Sequence, residues 1–194
     1  MQYRNTNTTT LVSLILIGSL YFAGGSKNQL VAVTPFPSGL YAANFSTYEN
    51  ASLGVKILYP SDWKKIEDSS GSWFRNMNES VNLRIESIPF LNGGLDELGT
   101  EQINLTEHQF PGSNLVESNQ TTIGNRYDAH RIVFTYPEVP SDLIPKMKEL
   151  KVWAANGSRA YIISYFTTIE EYGSYLSLAQ KIIDSFTIIS TTDK

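Results

Sequence analysis

Hydrophobic and polar residues alternate with a period of two along much of the chain, and that spacing predicts most of its elements. In "LGVKILY" the residues Leu53, Val55, Ile57 and Tyr59 share one side and Lys56 lies on the other, as in a half-buried strand. Pro60 stops it, because proline has no N–H to give to a ladder. Trp63 then folds back on the sheet edge as core, and Asp62 bonds backbone in the turn. "SWFRNM" and "SVNLRIESI" read as the next strands, the second with Val81, Leu83 and Ile85 inward, and "PFLNGG" breaks the chain after them. "LDELGTEQINLTEHQF" reads as a helix with imperfect apolar spacing, weakened by Gly99. "NLVESNQTTIGNRYDAHRIVFTY" gives two strands around a polar turn, with His130, Ile132, Phe134 and Tyr136 on one face. In "LKVWAANGSRAYIISYF" two β-rich runs flank Asn156-Gly157, which predicts a hairpin with that pair at the centre of a type I′ turn. "IEEYGSYLSLAQKIIDSF" sets Tyr172, Tyr175, Leu176, Ala179, Ile182, Ile183 and Phe186 at helical spacing. Hairpins interrupted by one helix and closed by another predict an α+β fold, an antiparallel sheet with helices packed on it.

The first 25 residues follow a different pattern. Arg4 is the single charge before an uncharged run from Leu11 to Gly25 that ends in Ala23, Gly24 and Gly25, the layout of an export segment. Cleavage before Ser26 and retention as a membrane anchor both stay open, since the run is shorter than the roughly 20 apolar residues of a spanning helix. Residues 26–45 mix Pro, Gly, Ser and Asn and read as a linker, leaving one domain over residues 46–190.

The net charge of -4, with no Lys/Arg run beyond Lys64-Lys65, argues against nucleic acid as a partner. There are no cysteines, which removes disulfides, thiolate metal sites, a Cys nucleophile and a lipidated Cys. Asn7, Asn44, Asn50, Asn78, Asn104, Asn119 and Asn156 each open an N-x-S/T sequon. Composition alone would supply about three such motifs, so the excess points to an exterior location and a glycoprotein.

Catalytic constellations are sparse. The only histidines are His108, among polar neighbours near a helix end and read as solvent-exposed, and His130, on an apolar strand face and read as a satisfied core or edge histidine. Ser72 in "GSWFR" lacks the second glycine of a nucleophile elbow, and "NGGLDELG" lacks the ending of a phosphate loop. Asp96, Glu97, Glu101 and Glu107 offer carboxylates suited to calcium. Acidic residues in a first helical turn also answer the helix dipole, so no metal ligand is assigned. A hydrolase would need a cleft where Asp128 and His130, or Asp62, converge. Trp153 opposes Val152 across its strand and reads as sheet core, while 11 Tyr and 3 Trp leave aromatics for an interface.

The ordered series "VKILYPSDW", "VNLRIESI", "LDELGT", "IGNRYDAHRIVFTY", "VWAANGSRAYIISYF" and "IIDSFTI" resembles the PsbP domain family, over residues 46–189. That resemblance implies a sheet sandwiched between helices on both faces and a non-catalytic role at a membrane surface. In photosynthetic members the role is support of the oxygen-evolving centre of photosystem II and retention of its calcium and chloride. Here the N-terminus is a short hydrophobic segment and not a Ser- and Arg-rich transit peptide, which favours an exported prokaryotic or archaeal type. No binding residue of the family carries over. The expectation is a non-catalytic domain outside the cell that binds or stabilises a protein complex at the membrane surface. The alternatives are a small-ligand or calcium-binding protein and a cell-surface hydrolase.

Overall fold

The computed structural model describes residues 44–69, 71–90, 93–138 and 145–189; the export segment, residues 26–43 of the linker and Asn7 lie outside them. In chain order the elements are β1 (Phe45–Asn50), β2 (Val55–Pro60), β3 (Lys64–Glu67), β4 (Gly71–Arg75), β5 (Asn82–Pro89), α1 (Leu95–Gln109), β6 (Asn114–Ile123), β7 (Tyr127–Tyr136), β8 (Met147–Asn156), β9 (Arg159–Thr168), α2 (Ile169–Asp184) and β10 (Thr187–Ile188). Seven strands form one sheet in the order β3-β4-β5-β9-β8-β7-β6, and β1-β2-β10 form a second. Every pairing is antiparallel.

The two faces of the large sheet bury different partners. On one face Leu83, Ile85, Val133, Val152, Ile163 and Tyr165 meet Leu178, Ile182 and Ile183 of α2 and Val55 and Ile57 of the small sheet. On the other face Ile132, Phe134, Trp153 and Ile162 meet Leu98 of α1. The antiparallel sheet with packed helices is the α+β fold that the hairpins and helices predict, and helices on both of its faces are what the family resemblance implies.

α2 is well specified by its own sequence. The Thr168 hydroxyl caps it by accepting from Glu171 N–H at 3.2 Å, and Glu170 and Glu171 fill the first turn. At its far end the Ser185 hydroxyl donates to Ile182 O at 2.6 Å and accepts from Leu58 N–H at 2.9 Å, tying helix to β2. Pro60 is the last residue of β2, and Trp63, whose N–H donates to Pro60 O at 3.0 Å, is core. The break at "YPSDW" is therefore a corner of the fold.

Three local features differ from the sequence reading. β1 begins at Phe45, in the stretch read as linker, and pairs along the whole of β2. On β5 the positions between Leu83 and Ile85 and beyond are buried too: Arg84 and Glu86 pair at 3.1 Å on the α1 side of the sheet. The third concerns the turns. Asn156 pairs with Arg159, so the two-residue loop is Gly157-Ser158, with only Gly157 at positive φ (59°). Glycine at the first central position is the type II′ arrangement. The pair of positive φ angles of a type I′ turn sits instead at Gly124 (58°) and Asn125 (55°), between β6 and β7, where Arg126 N–H donates to Ile123 O at 3.3 Å.

Candidate functional site

α1 reaches the sheet because of the glycine that weakens it. A Cβ on Gly99 would lie 2.8 Å from Trp153 Cζ2 and 3.7 Å from His130 Cδ2. Only a bare backbone fits that close to the indole. Trp153 is fully buried, and its Nε1–H donates to Leu95 O at 3.0 Å, fixing the first turn of the helix. That anchor holds Asp96 over β7.

His130 is the hub beneath. Its ring lies parallel to Trp153 (5.0 Å between centroids, 7° between planes), so the imidazole plane is set by packing. Nδ1 is 2.9 Å from Asp96 Oδ1, and Nε2 is 2.9 Å from Ser118 Oγ. An ionised carboxylate can only accept, so Nδ1 carries the proton in the neutral ring, and Nε2 is then the acceptor for the Ser118 hydroxyl. Gln120, the cross-strand partner of His130, points its amide at Asp96 Oδ2, 3.5 Å away. The histidine side chain is 12% exposed and the Asp96 side chain 68%, with Ser118 open to solvent on the edge strand β6. The ring is thus nearly covered while both of its partners meet solvent.

Only part of this arrangement matches the sequence expectations. Asp62 and Asp128 are exposed, and among the described residues no hydrogen bond joins either to a histidine. The carboxylate that meets His130 is Asp96, taken from the acidic group that suggested calcium. Glu97 and Glu101 instead line a shallow depression on the outer face of α1 with Thr100, Asn104, Leu105 and His108, and Glu107 is exposed. Among the described residues no three His, Asp or Glu side chains gather as metal ligands, so the acidic run is spread around a helix and not focused. Ser118 escaped notice because its partners are far away in sequence. Counting register back from the β6–β7 turn places it opposite Ile132 and diagonal to His130.

The same side of the sheet carries a second polar group. Beside the Arg84–Glu86 pair, Lys151 lies 3.6 Å from Glu149, which accepts from the Tyr136 hydroxyl. Burial pushes the Glu86 carboxyl up from its ordinary value, against the pull of Arg84 and Lys151. Burial and the neighbouring Glu149 push the Tyr136 phenol up as well. Farther out, Trp73 is flanked by the guanidinium groups of Arg75 at 5.3 Å and Arg84 at 4.9 Å.

The sequons differ in what their amides do. Asn44, Asn78, Asn104 and Asn156 are exposed. Asn50 accepts from Leu53 N–H at 2.9 Å and donates to the Tyr48 hydroxyl at 2.9 Å, so both ends of its amide are engaged. Asn119 donates to Glu117 Oε1 at 2.9 Å.

Comparison with solved structures places the architecture. The solution structure of cyanobacterial PsbP (CyanoP) from Synechocystis sp. PCC 6803 superimposes with a TM-score of 0.60 over 77% of this chain and 95% of that one, at 14% identity. The chain has the PsbP-like fold. The Ran-binding protein Mog1p of Saccharomyces cerevisiae shares the PsbP-like fold too, with a TM-score of 0.56 over 77% of this chain and 98% of its own, at 10% identity. A protein of unknown function from Pseudomonas aeruginosa matches at 0.51 over 76% of this chain and 99% of its own, at 11% identity. No protein-family model and no curated protein sequence matches the chain.

Proposed function

We propose that this chain is an exported docking domain that binds a protein complex at the outer face of the membrane, carried there by residues 1–25, and that this task needs no catalysis. The observation that carries the reading is the PsbP-like fold, shared over nearly their whole length with CyanoP and with a Ran-binding protein. A local feature supports it. Trp73 and Arg75 lie on β4, away from the strands β7 and β8 on which α1 packs, and Met77 follows them at 78% exposure. Tryptophan and arginine dominate the residues whose loss weakens protein interfaces. The exposed sequons Asn44, Asn78, Asn104 and Asn156 are the positions we assign to glycans on such a surface protein. A photosynthetic partner and bound calcium form no part of the proposal.

The test is crosslinking in the native cells with a C-terminal tag, followed by mass spectrometry of the solubilised membrane fraction. One membrane complex should recur with the parent chain and be lost with Trp73→Ala/Arg75→Ala at equal expression and an unchanged melting curve. Recovery of the same proteins by both chains, or of abundant envelope protein alone, would overturn the docking reading.

A further inference from the structure

We propose that Ser118, His130 and Asp96 form an acyl-transfer centre at the sheet edge, an activity separate from docking. Three observations carry it. The contacts run in the order a hydroxyl nucleophile needs: Ser118 Oγ 2.9 Å from His130 Nε2, and His130 Nδ1 2.9 Å from Asp96 Oδ1. The base is held, because Trp153 stacks on it and is itself anchored to Leu95 O, so the ring cannot swing away from the serine without breaking a buried contact. The nucleophile is open, since Ser118 is exposed on the terminal strand of the sheet. An edge strand also turns alternate backbone N–H groups outward, where they can receive an oxyanion.

The chemistry closes without any cofactor. Ser118 Oγ attacks the carbonyl carbon of an ester while its proton passes to His130 Nε2, and the Asp96 carboxylate stabilises the imidazolium. As the carbon to leaving-oxygen bond breaks, the alcohol takes that proton. A water then repeats the sequence at the acyl-enzyme carbonyl, releasing the acid and restoring Ser118. The surroundings select the substrate class. The depression on α1 is lined by other residues, and Asp96 and Glu97 place negative charge nearby. A neutral ester carrying a short acyl group, presented on a larger molecule that reaches the edge from outside, fits best.

The centre lies at the opposite end of the sheet from Trp73. Between β4 and β6 stand β5, β9, β8 and β7, a separation on the order of 20 Å at the usual strand spacing. Docking and acyl transfer are therefore testable apart.

The experiment treats the full chain at neutral pH with a biotinylated fluorophosphonate and maps the label by peptide mass spectrometry. In that reaction Ser118 Oγ bonds to phosphorus, fluoride leaves with its electron pair, and His130 takes the proton. Label is expected on Ser118, absent in Ser118→Ala. Hydrolysis of p-nitrophenyl acetate should continue past one equivalent of enzyme. His130→Gln should slow labelling by about 100-fold or more, the usual worth of a positioned general base. Asp96→Asn, on the exposed first turn of α1, should slow it comparably while the melting curve stays unchanged, which keeps the result meaningful if the His130 variant unfolds. An unlabelled Ser118 in folded protein, equal labelling in Asp96→Asn, or hydrolysis that stops at one equivalent would overturn the proposal.

Discussion

Gly124 and Gly157 form a matched pair on which the packing of the fold can be weighed. Both hold positive φ, 58° and 59°, and both sit in hairpin turns. Replacing either with alanine places a Cβ in the left-handed region, at about 1–2 kcal/mol, and tightens the unfolded chain by about 0.4–1 kcal/mol in the opposite sense. These contributions cancel between the two sites. The environments do not. Around Gly157 a Cβ meets nothing within 4 Å, whereas at Gly124 it would lie 2.1 Å from Phe186 O and 3.1 Å from Phe186 C. Phe186 is buried against Tyr127 and Tyr161, so the obstacle is backbone that cannot rotate aside. Overpacking of this kind adds about 1–3 kcal/mol. We therefore expect Gly157→Ala to cost about 1 kcal/mol or less, and Gly124→Ala about 2–4 kcal/mol, from the same φ cost plus the collision. For a domain of this size the difference corresponds to a Tm gap on the order of 5–10 °C. Paired thermal and urea melts of the two variants read it directly. Equal losses would refute the claim that the β6–β7 turn is seated under the end of α2.

Four further outcomes follow from the same geometry. Gly99→Ala improves helix propensity by about 1 kcal/mol but drives a Cβ into the Trp153 ring, at about 1–3 kcal/mol, so net destabilisation and altered tryptophan emission are expected. A higher Tm would show that the glycine does not set the spacing of α1 from the sheet. Because burial raises the Glu86 carboxyl above its ordinary 4.5, the folded chain binds a proton there that the unfolded chain has released, and stability falls as pH rises from 4.5 through the raised value. Glu86→Gln should remove that decline in denaturant titrations; an unchanged slope would assign it elsewhere. Glu67 acts oppositely: its hydrogen bond from the Tyr48 hydroxyl lowers it, giving stability that is present above 4.5 and lost as pH falls through the lowered value. Finally, glycopeptide mapping of the native protein should find sugar at Asn104 in preference to Asn50, whose amide is engaged by Tyr48 and Leu53. Full occupancy of Asn50 would mean that its side chain leaves those contacts.

The parts of the fold that local chemistry decides were readable in the chain. α2 has its acidic first turn and its apolar stripe within 16 residues and its cap at Thr168 just before them, and Val55, Ile57, Leu83 and Ile85 point inward as their alternation predicts. What escaped depends on partners distant in sequence. β1 lacks a clean alternation and exists because β2 offers it six paired positions. Arg84 and Glu86 look solvent-facing until the second face of the sheet is known to be covered, and their burial is tolerable because they face each other. One turn differs from its sequence reading for a similar reason. Asn156-Gly157 has the better local signal for a type I′ turn, yet Gly124-Asn125 adopts those angles, because only a residue without Cβ passes beneath Phe186 O.

That turn also decides whether the candidate site exists. Side chains alternate strictly along a strand, so the loop at Gly124–Arg126 fixes which residues of β6 share the face of His130. With Ile123 opposite Tyr127, Gln120 lies opposite His130 and Ser118 opposite Ile132, both on the α1 side. A slip of one residue would turn Ser118 to the α2 side and bring Asn119 or Glu117 to the histidine. The register irregularity between Leu115 and Glu117 lies beyond Ser118 as counted from the turn, so it returns Leu115 to the Phe134 side without disturbing the serine. On the helix side, Gly99 lets α1 approach until Asp96 meets Nδ1. Two glycines with no chemistry of their own thus bring together three reactive groups spread over 34 residues of sequence. Gly124→Ala should therefore weaken fluorophosphonate labelling of Ser118 as well as stability, while Gly157→Ala, in the hairpin on the far side of β7, should leave labelling intact. Loss of labelling in both variants would tie the effect to general destabilisation and not to register.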